Sequence, residues 1–524
     1  MSKIRHLGIL ILTIAVLSSC ADTTNLEQAL QVAQKEANTL STRVAEQEIE
    51  AEREISALGT ASADAANVAS TRAAGVLAEA QGAAEEAVSA AEATSEAIAA
   101  AATLSALPDI NYDTSIYGVI DELDMNGIVV KWWHNSSGQE EAAIQNIIAD
   151  FNESNQFGIL VEATNEGDLD VIYDKMLTGL STGDVPSVLL ATQGQMAEYQ
   201  KFQGLVNLDP YFEHPLYGLS QAEKDDLFDA FLQADRLPQF ENQLFGFPIN
   251  REMELLYYNQ DWLEELGFDG PPRDLSEFEE MACAAADSSA NGETGFSLRT
   301  DGRSLAAYAF ASGHDIYDYE EDSFSYNTPG TVEYLLGMRD LVDRGCAQIT
   351  EERFADQTAF GNRSALFIQG SSLNLPFIKL AVEENEEPFN WSVGPIPYVG
   401  FEPAQIVHGS SLAIPETSPE EQLAAWIFVR FLSQPAQQAR WVRASDGFPI
   451  QGSTAFALES YFEENPVYRS AFELLKYGRF EVSVSGYDQI LSEAALAYSD
   501  ILDGEDPELN LSQLDGLANS IIVQ

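Results

Sequence analysis

Positive charge is scarce in this sequence of 524 residues: 26 Lys and Arg stand against 84 Asp and Glu, a formal net charge of −58. A chain this acidic repels phosphate backbones and anionic lipid headgroups, which argues against a nucleic-acid partner and for a strongly solvated surface. Cysteine is rarer still, with Cys20, Cys283 and Cys346 the only three, so neither a dense disulfide framework nor a Cys-x-x-Cys metal site is available. The five histidines, at 6, 134, 214, 314 and 408, are too dispersed for a His-x-x-x-His pair. No phosphate-cradling Gly-x-x-x-x-Gly-Lys loop and no Gly-x-Ser-x-Gly nucleophile turn occurs. Glu252 and Glu254 are close enough in sequence for acid–base work, as in a glycosidase, but among 84 acids such pairs arise by chance. The expectation is a protein without catalytic residues, metal or cofactor. After the first twenty residues there is no apolar run long enough to span a bilayer.

What is present begins with an export signal. Lys3, Arg5 and His6 precede the apolar run Leu7–Leu17, too short for a stable span, and small residues lead into Cys20. Leu17-Ser18-Ser19-Cys20 resembles the bacterial lipobox, which implies acylation of Cys20 and a tether to the outer face of a membrane. An ordinary signal peptide with an incidental cysteine is the alternative. In an exported chain, Cys283 and Cys346 are then the candidate disulfide pair.

Residues 21–107 are rich in Ala, Glu, Gln, Ser and Thr and contain no proline until Pro108. Leu26, Leu30, Ala33, Ala37, Leu40 and Val44 alternate at spacings of four and three, resumed at Ala51, Ile55 and Leu58, the seam of a coiled coil. Fully helical, this spacer would reach on the order of 125 Å at 1.5 Å per residue. Its seam is mostly alanine beyond residue 60, so a frayed low-complexity tract is the competing reading, and self-association through the coil follows only from the first. Residues 108–126 read as a linker.

From 127 to 524 the texture is α/β. Strands are predicted at 128–133, 158–163 and 187–191, alternating with helices at 139–152 and 169–181. The order implies a largely parallel sheet with ligand loops at the carboxyl ends of its strands. Helices follow at 260–266, 275–286, 331–344 and 419–432, with strands at 367–372, 391–393 and 411–414. Aromatic residues stand beside small polar ones at several predicted strand ends: Trp132 and Trp133 before Asn135-Ser136-Ser137, Tyr257 and Tyr258 before Asn259, and Phe448 in Asp446-Gly447-Phe448-Pro449-Ile450. Such a face packs on the C–H side of a sugar ring while the amides and hydroxyls bond its hydroxyl groups. Core packing is the competing role for each aromatic.

In their order and spacing over roughly 400 residues, several short motifs resemble the extracytoplasmic solute-binding proteins of ABC importers, in the branch that takes up glycerol phosphates, maltose and other sugars. They are Val130-Lys131-Trp132-Trp133-His134, Thr182-Gly183-Asp184-Val185-Pro186-Ser187-Val188, Gly246-Phe247-Pro248-Ile249, Leu255-Leu256-Tyr257-Tyr258-Asn259, Gly394-Pro395-Ile396-Pro397, Gly409-Ser410-Ser411-Leu412-Ala413-Ile414 and Gly447-Phe448-Pro449-Ile450. The resemblance implies a two-lobed periplasmic-binding-protein fold of type II, with a hinged ligand cleft and a permease as partner. Lobe one would take about 127–247 and 397–436, and lobe two about 248–396 and 437–524. It further implies that Trp133, His134 and Ser137 face the cleft, that Tyr173, Gln193, Ser372 and Gly409 hold ligand, and that Arg251, Glu252, Ser410, Phe448 and Tyr487 lie near it. Two departures stand out. Gln193 occupies an acidic position of the family, and Val484 or Ser485 stands where an arginine is expected. Without that arginine, phosphate recognition loses its bidentate cation unless Arg251 substitutes, and a neutral mono- or oligosaccharide fits better. Glycerol-phosphate binding and a coiled-coil surface sensor are the alternatives.

Overall fold

A computed structural model describes residues 120–289, 292–350 and 352–522. The expected signal, Cys20 and spacer lie outside the described residues. Ile120 and Met125 are already buried in the core, so the folded body takes in the end of the expected linker.

The first lobe is built on a five-stranded sheet. Its opening strands are β1 (Val129–His134), β2 (Leu160–Asn165) and β3 (Val188–Ala191), joined by helices α1 (Gly138–Ser154) and α2 (Leu169–Thr182). α2 starts where the Asp168 carboxylate accepts the Val171 N–H at 2.9 Å, and ends where Gly183 turns left-handed at φ 80°. α3 (Gln193–Lys201) follows β3 immediately, capped reciprocally by Thr192 and Gln195. The chain then returns to the sheet as β4 (Gly246–Pro248).

The second lobe holds a longer mixed sheet. It contains β5 (Glu252–Asn259), β6 (Thr294–Leu298), β7 (Ala347–Ile349), β8 (Ala365–Ser371), β9 (Trp391–Gly394) and β10 (Gln405–His408). Helices α4 (Gln260–Leu266), α5 (Leu275–Ser288), α6 (Gly302–Ala311) and α7 (Pro329–Asp343) are interleaved. From β10 the chain crosses back as β11 (Ser411–Ala413), then forms α8 (Pro419–Leu432) and α9 (Pro435–Ser445) against the first lobe. It finishes in the second lobe with β12 (Gly478–Phe480), α10 (Tyr487–Leu502) and α11 (Pro507–Ile522).

The strand orders are β2-β1-β3-β11-β4 in the first sheet and β7-β6-β8-β5-β10-β12 in the second, with β9 also pairing with β5. The expected largely parallel order holds in the first sheet, where β1 runs parallel to β2 and β3 and β4 has the same direction, with β11 inserted antiparallel between β3 and β4. β4 returns from within the first lobe, whereas β11 enters only after the chain crosses back from the other lobe. The return crossing also falls later than residue 397, because β10 still belongs to the second sheet and pairs with β5 at Val407–Met253 and His408–Glu252.

Each sheet is covered on both faces. In β1 the alternation sends Val130, Trp132 and His134 inward against α1 and α8, where Trp132 meets Phe428 edge-on at 5.6 Å, while Trp133 points to the opposite face. In the second sheet Leu255 and Tyr257 face one core, and Leu256 and Tyr258 face the other. Cys283 of α5 and Cys346, just before β7, form a disulfide with Cα atoms 4.5 Å apart.

Candidate ligand-binding site

Three segments pass between the lobes, and one buried network binds them together. Ile249–Arg251 joins β4 to β5, Gly409–Ser410 joins β10 to β11, and Phe448 pairs with Arg251 as the chain leaves α9. At the junction Arg251 Nη2 donates to Asp235 Oδ2 and to the Phe231 carbonyl, each at 2.9 Å. Its Nη1 donates to Ser411 Oγ at 2.9 Å and to the carbonyls of Asn250, Gly409 and Ser410 at 3.3 Å. The Ser411 hydroxyl and the Gln193 amide both donate to Asp235, and Gln193 also reaches the Gly409 carbonyl. Gly409 sits at φ 131°, a backbone region that favours glycine.

These contacts reassign several candidate ligand residues. Arg251 spends both terminal nitrogens on protein acceptors and is almost fully buried, so it does not replace the missing phosphate-binding arginine. Gln193 stands in the hinge network; an acid there would face Asp235 at contact distance. His134 is buried, accepting the Ser136 N–H on Nδ1 at 3.2 Å with Nε2 3.5 Å from Glu141. Burial lowers its pKa below the ordinary histidine value despite the opposing pull of Glu141 and Glu166. Phe448 packs in the core against Tyr468 and Phe472. Tyr487 is buried and stacks on Phe324, and the buried Ser372 hydroxyl accepts the Met253 N–H at 3.2 Å. Ser410 is half-buried in the return crossing, and Ser137 is exposed at the start of α1.

Other residues do face the opening between the lobes. α2 supplies Tyr173, stacked on Tyr199 with centroids 5.7 Å apart, and Lys175, whose Nζ lies 4.3 Å from the centre of the half-buried Trp133 ring. Tyr173, Gln195, Glu198 and Phe202 of the first lobe, with Gly486, Asp488 and Gln489 of the second, line a cavity of about 470 Å³. The lobes meet beside it, where Thr192 Oγ1 donates to Asp488 Oδ2 at 2.9 Å and Ser485 hydrogen-bonds Glu198.

Deeper in the second lobe, His408 is held between two carboxylates. Its Nδ1 lies 3.4 Å from Glu252 and its Nε2 3.2 Å from Glu254, while Glu252 also accepts the Ser371 hydroxyl. Burial and nearby Arg303 act to deprotonate His408, but the two glutamates outweigh them and raise its pKa to about 9. Glu252, although burial favours its neutral form, is drawn down to about 2 by His408 and Ser371. Arg303, in the first turn of α6, donates to both oxygens of Glu481 at 2.9 and 3.1 Å, and that carboxylate holds it charged against the effect of burial. Glu140, at the start of α1 in the opposite lobe, is raised chiefly by burial and further by the charge of Glu252, offset by a hydrogen bond with Ser136.

The candidate set from sequence therefore divides. Tyr173 borders the opening, Trp133 is half-buried beside Lys175 and Glu252 belongs to the His408 cluster, whereas Gln193, Arg251 and Gly409 build the hinge. Sequence reasoning missed Arg303, His408, Glu481 and Asp488. His408 directly precedes the Gly409-Ser410 motif and was open to notice; nothing local distinguishes Arg303, whose pairing spans 178 residues.

Comparison with known proteins agrees with this architecture. The sn-glycerol-3-phosphate-binding periplasmic protein UgpB of Shigella dysenteriae is 21% identical over 353 residues, spanning 64% of this chain and 78% of that one. Among solved structures, the sugar-binding protein MalE from Xanthomonas citri superposes with a TM-score of 0.66 at 21% identity, covering 75% of this chain and 97% of that one. UgpB from Mycobacterium tuberculosis, in complex with glycerophosphocholine, gives 0.63 at 21% identity, with coverage of 75% and 98%. These relatives are solute-binding proteins rather than enzymes, and they share the two-lobed fold. Residues 146–466 match the family described as bacterial extracellular solute-binding protein, and the chain belongs to that family.

Proposed function

We propose that this protein is the membrane-anchored receptor of an ABC importer, capturing a neutral mono- or oligosaccharide outside the cytoplasm and delivering it to the permease. Membership of an extracellular solute-binding family gives the extracytoplasmic location. In this reading Cys20 carries the lipid, residues 21–107 space the receptor from the membrane, and the two lobes close on ligand. Among the described residues no helix is long and apolar enough to cross a membrane.

The observation that carries the choice of ligand is the charge state of the cleft walls. Arg251 is consumed by the hinge, Arg303 by Glu481, and Tyr173 and Trp133 offer aromatic surface beside hydrogen-bonding side chains. A polyhydroxylated neutral ligand uses such donors, acceptors and ring faces without needing a net cation. One relative is named as an sn-glycerol-3-phosphate-binding protein and another was solved in complex with glycerophosphocholine, which supports phosphate esters as the second reading. Closure then follows from differential contact: a ligand touching both lobes favours the closed state by the affinity that the open state lacks.

A thermal-shift screen of the full chain against mono-, di- and trisaccharides, polyols and glycerol phosphates tests this reading, because a ligand that binds only the folded state raises its melting temperature. A saturable shift with a saccharide is expected. A shift confined to phosphate esters overturns the choice of ligand.

A further inference from the structure

We infer that Glu481 determines the charge class of ligand that the cleft accepts, by occupying the Arg303 guanidinium and so excluding phosphate monoesters. This inference rests on the saccharide-receptor reading and deepens it.

Arg303 is well placed to act on a bound solute. It lies in the first turn of α6, its side chain is 31% exposed, and the charges of Glu252, Glu254, His408 and Asp488 act on it from three other elements. Asp488 in turn touches Thr192 of the first lobe, so the charge of Arg303 acts on a residue of the contact between lobes. A guanidinium in this setting is the natural receptor for a phosphate, which it grips with two parallel N–H donors.

Glu481 already occupies that grip. Its two oxygens accept from Nε at 2.9 Å and Nη2 at 3.1 Å, the same fork–fork arrangement that a phosphate would require. The carboxylate is itself fixed, since the Glu481 N–H donates to the Val407 carbonyl at 3.0 Å and continues the β12–β10 pairing. Lys175, Lys201 and His408 are engaged in the same way. Lys175 pairs with Glu166 at 2.5 Å, Lys201 lies 3.7 Å from Glu198, and His408 is held by two glutamates. An approaching dianion would therefore meet matched or surplus negative charge. Nη1 makes no hydrogen bond among the described residues, so the neutralised guanidinium keeps donors for hydroxyl groups while offering no free charge.

The test compares the full-length wild type, Glu481→Gln and the double variant Glu481→Gln with Arg303→Met in calorimetric titrations with inorganic phosphate and glycerol 3-phosphate. Wild type should give no saturable binding. Glu481→Gln should gain it, tightening by about tenfold or more as the fork is released, and Arg303→Met should abolish the gain. A folded Glu481→Gln protein, judged by its melting curve, with no gain overturns the inference. Should that variant fail to fold, the wild type still decides: saturable stabilisation by phosphate over chloride at matched ionic strength overturns the inference, and its absence supports it. A saccharide panel run in parallel separates the two readings. Saccharide binding without a phosphate gain in folded Glu481→Gln sinks the role of Glu481 alone; a phosphate gain with no saccharide response supports that role and sinks the saccharide reading.

Discussion

Asp235 Oδ2 lies 2.9 Å from Arg251 Nη2, and both side chains are closed off from solvent at the point where the chain crosses between lobes. The pair sits where the hinge segments converge, and Ser411, Gln193 and the Gly409 carbonyl bond to it there. A buried charge that loses its partner costs about 3–5 kcal/mol. Asp235→Ala and Arg251→Ala are each expected to destabilise the protein by that amount in urea unfolding. The double variant should cost less than the sum, because the surviving charge in each single variant is what remains unpaired.

Trp133→Ala and Tyr173→Ala should each weaken saccharide binding, by the roughly two- to twelvefold that about 0.5–1.5 kcal/mol of aromatic contact represents. Calorimetric titration measures this directly. Phe448→Leu, by contrast, should lower the melting temperature and leave affinity unchanged, since Phe448 packs in the core against Tyr468 and Phe472.

The Glu252–His408–Glu254 cluster gives stability a definite pH window. His408, raised to about 9 from an ordinary 6.5, contributes fully below its unfolded pKa, and that contribution is lost as pH climbs through 9. Glu252, lowered to about 2 from 4.5, contributes fully above its unfolded pKa and loses this as pH falls through 2. Urea midpoints measured from acid to alkaline pH should thus show a plateau between the two unfolded values and a decline above it. His408→Gln should flatten the alkaline decline; an unchanged profile would remove His408 as its source.

Closing a loop of 63 residues, the Cys283–Cys346 bond restricts the unfolded chain. Its loss, by reduction or by the double serine variant, should cost about 4 kcal/mol on the loop-entropy estimate. Chemical denaturation with and without reductant checks this.

Much of the fold was legible because local signals carried it. The helices at Gln260–Leu266 and Pro419–Leu432 begin at Asn259 and Ser418 caps, and the first ends at Gly267 with φ 91°. The sheet composition was less legible, since β11 joins the first sheet from more than 200 residues away from β3 and runs antiparallel to it. The site was read least well. Trp133 and His134 are neighbours in sequence, yet the pleat turns one toward α2 and buries the other against Glu141. Arg251 carried no sign of its buried acceptor set, and Arg303 none of Glu481, because both partnerships are made by tertiary contact alone.

The central claim is that the cleft captures a neutral saccharide. Calorimetric titration of the wild-type full chain with the saccharide that most raises its melting temperature, beside glycerol 3-phosphate, tests it most directly. The account predicts saturable binding of the saccharide and no heat from the phosphate ester; tight binding of glycerol 3-phosphate with no saccharide response would contradict it.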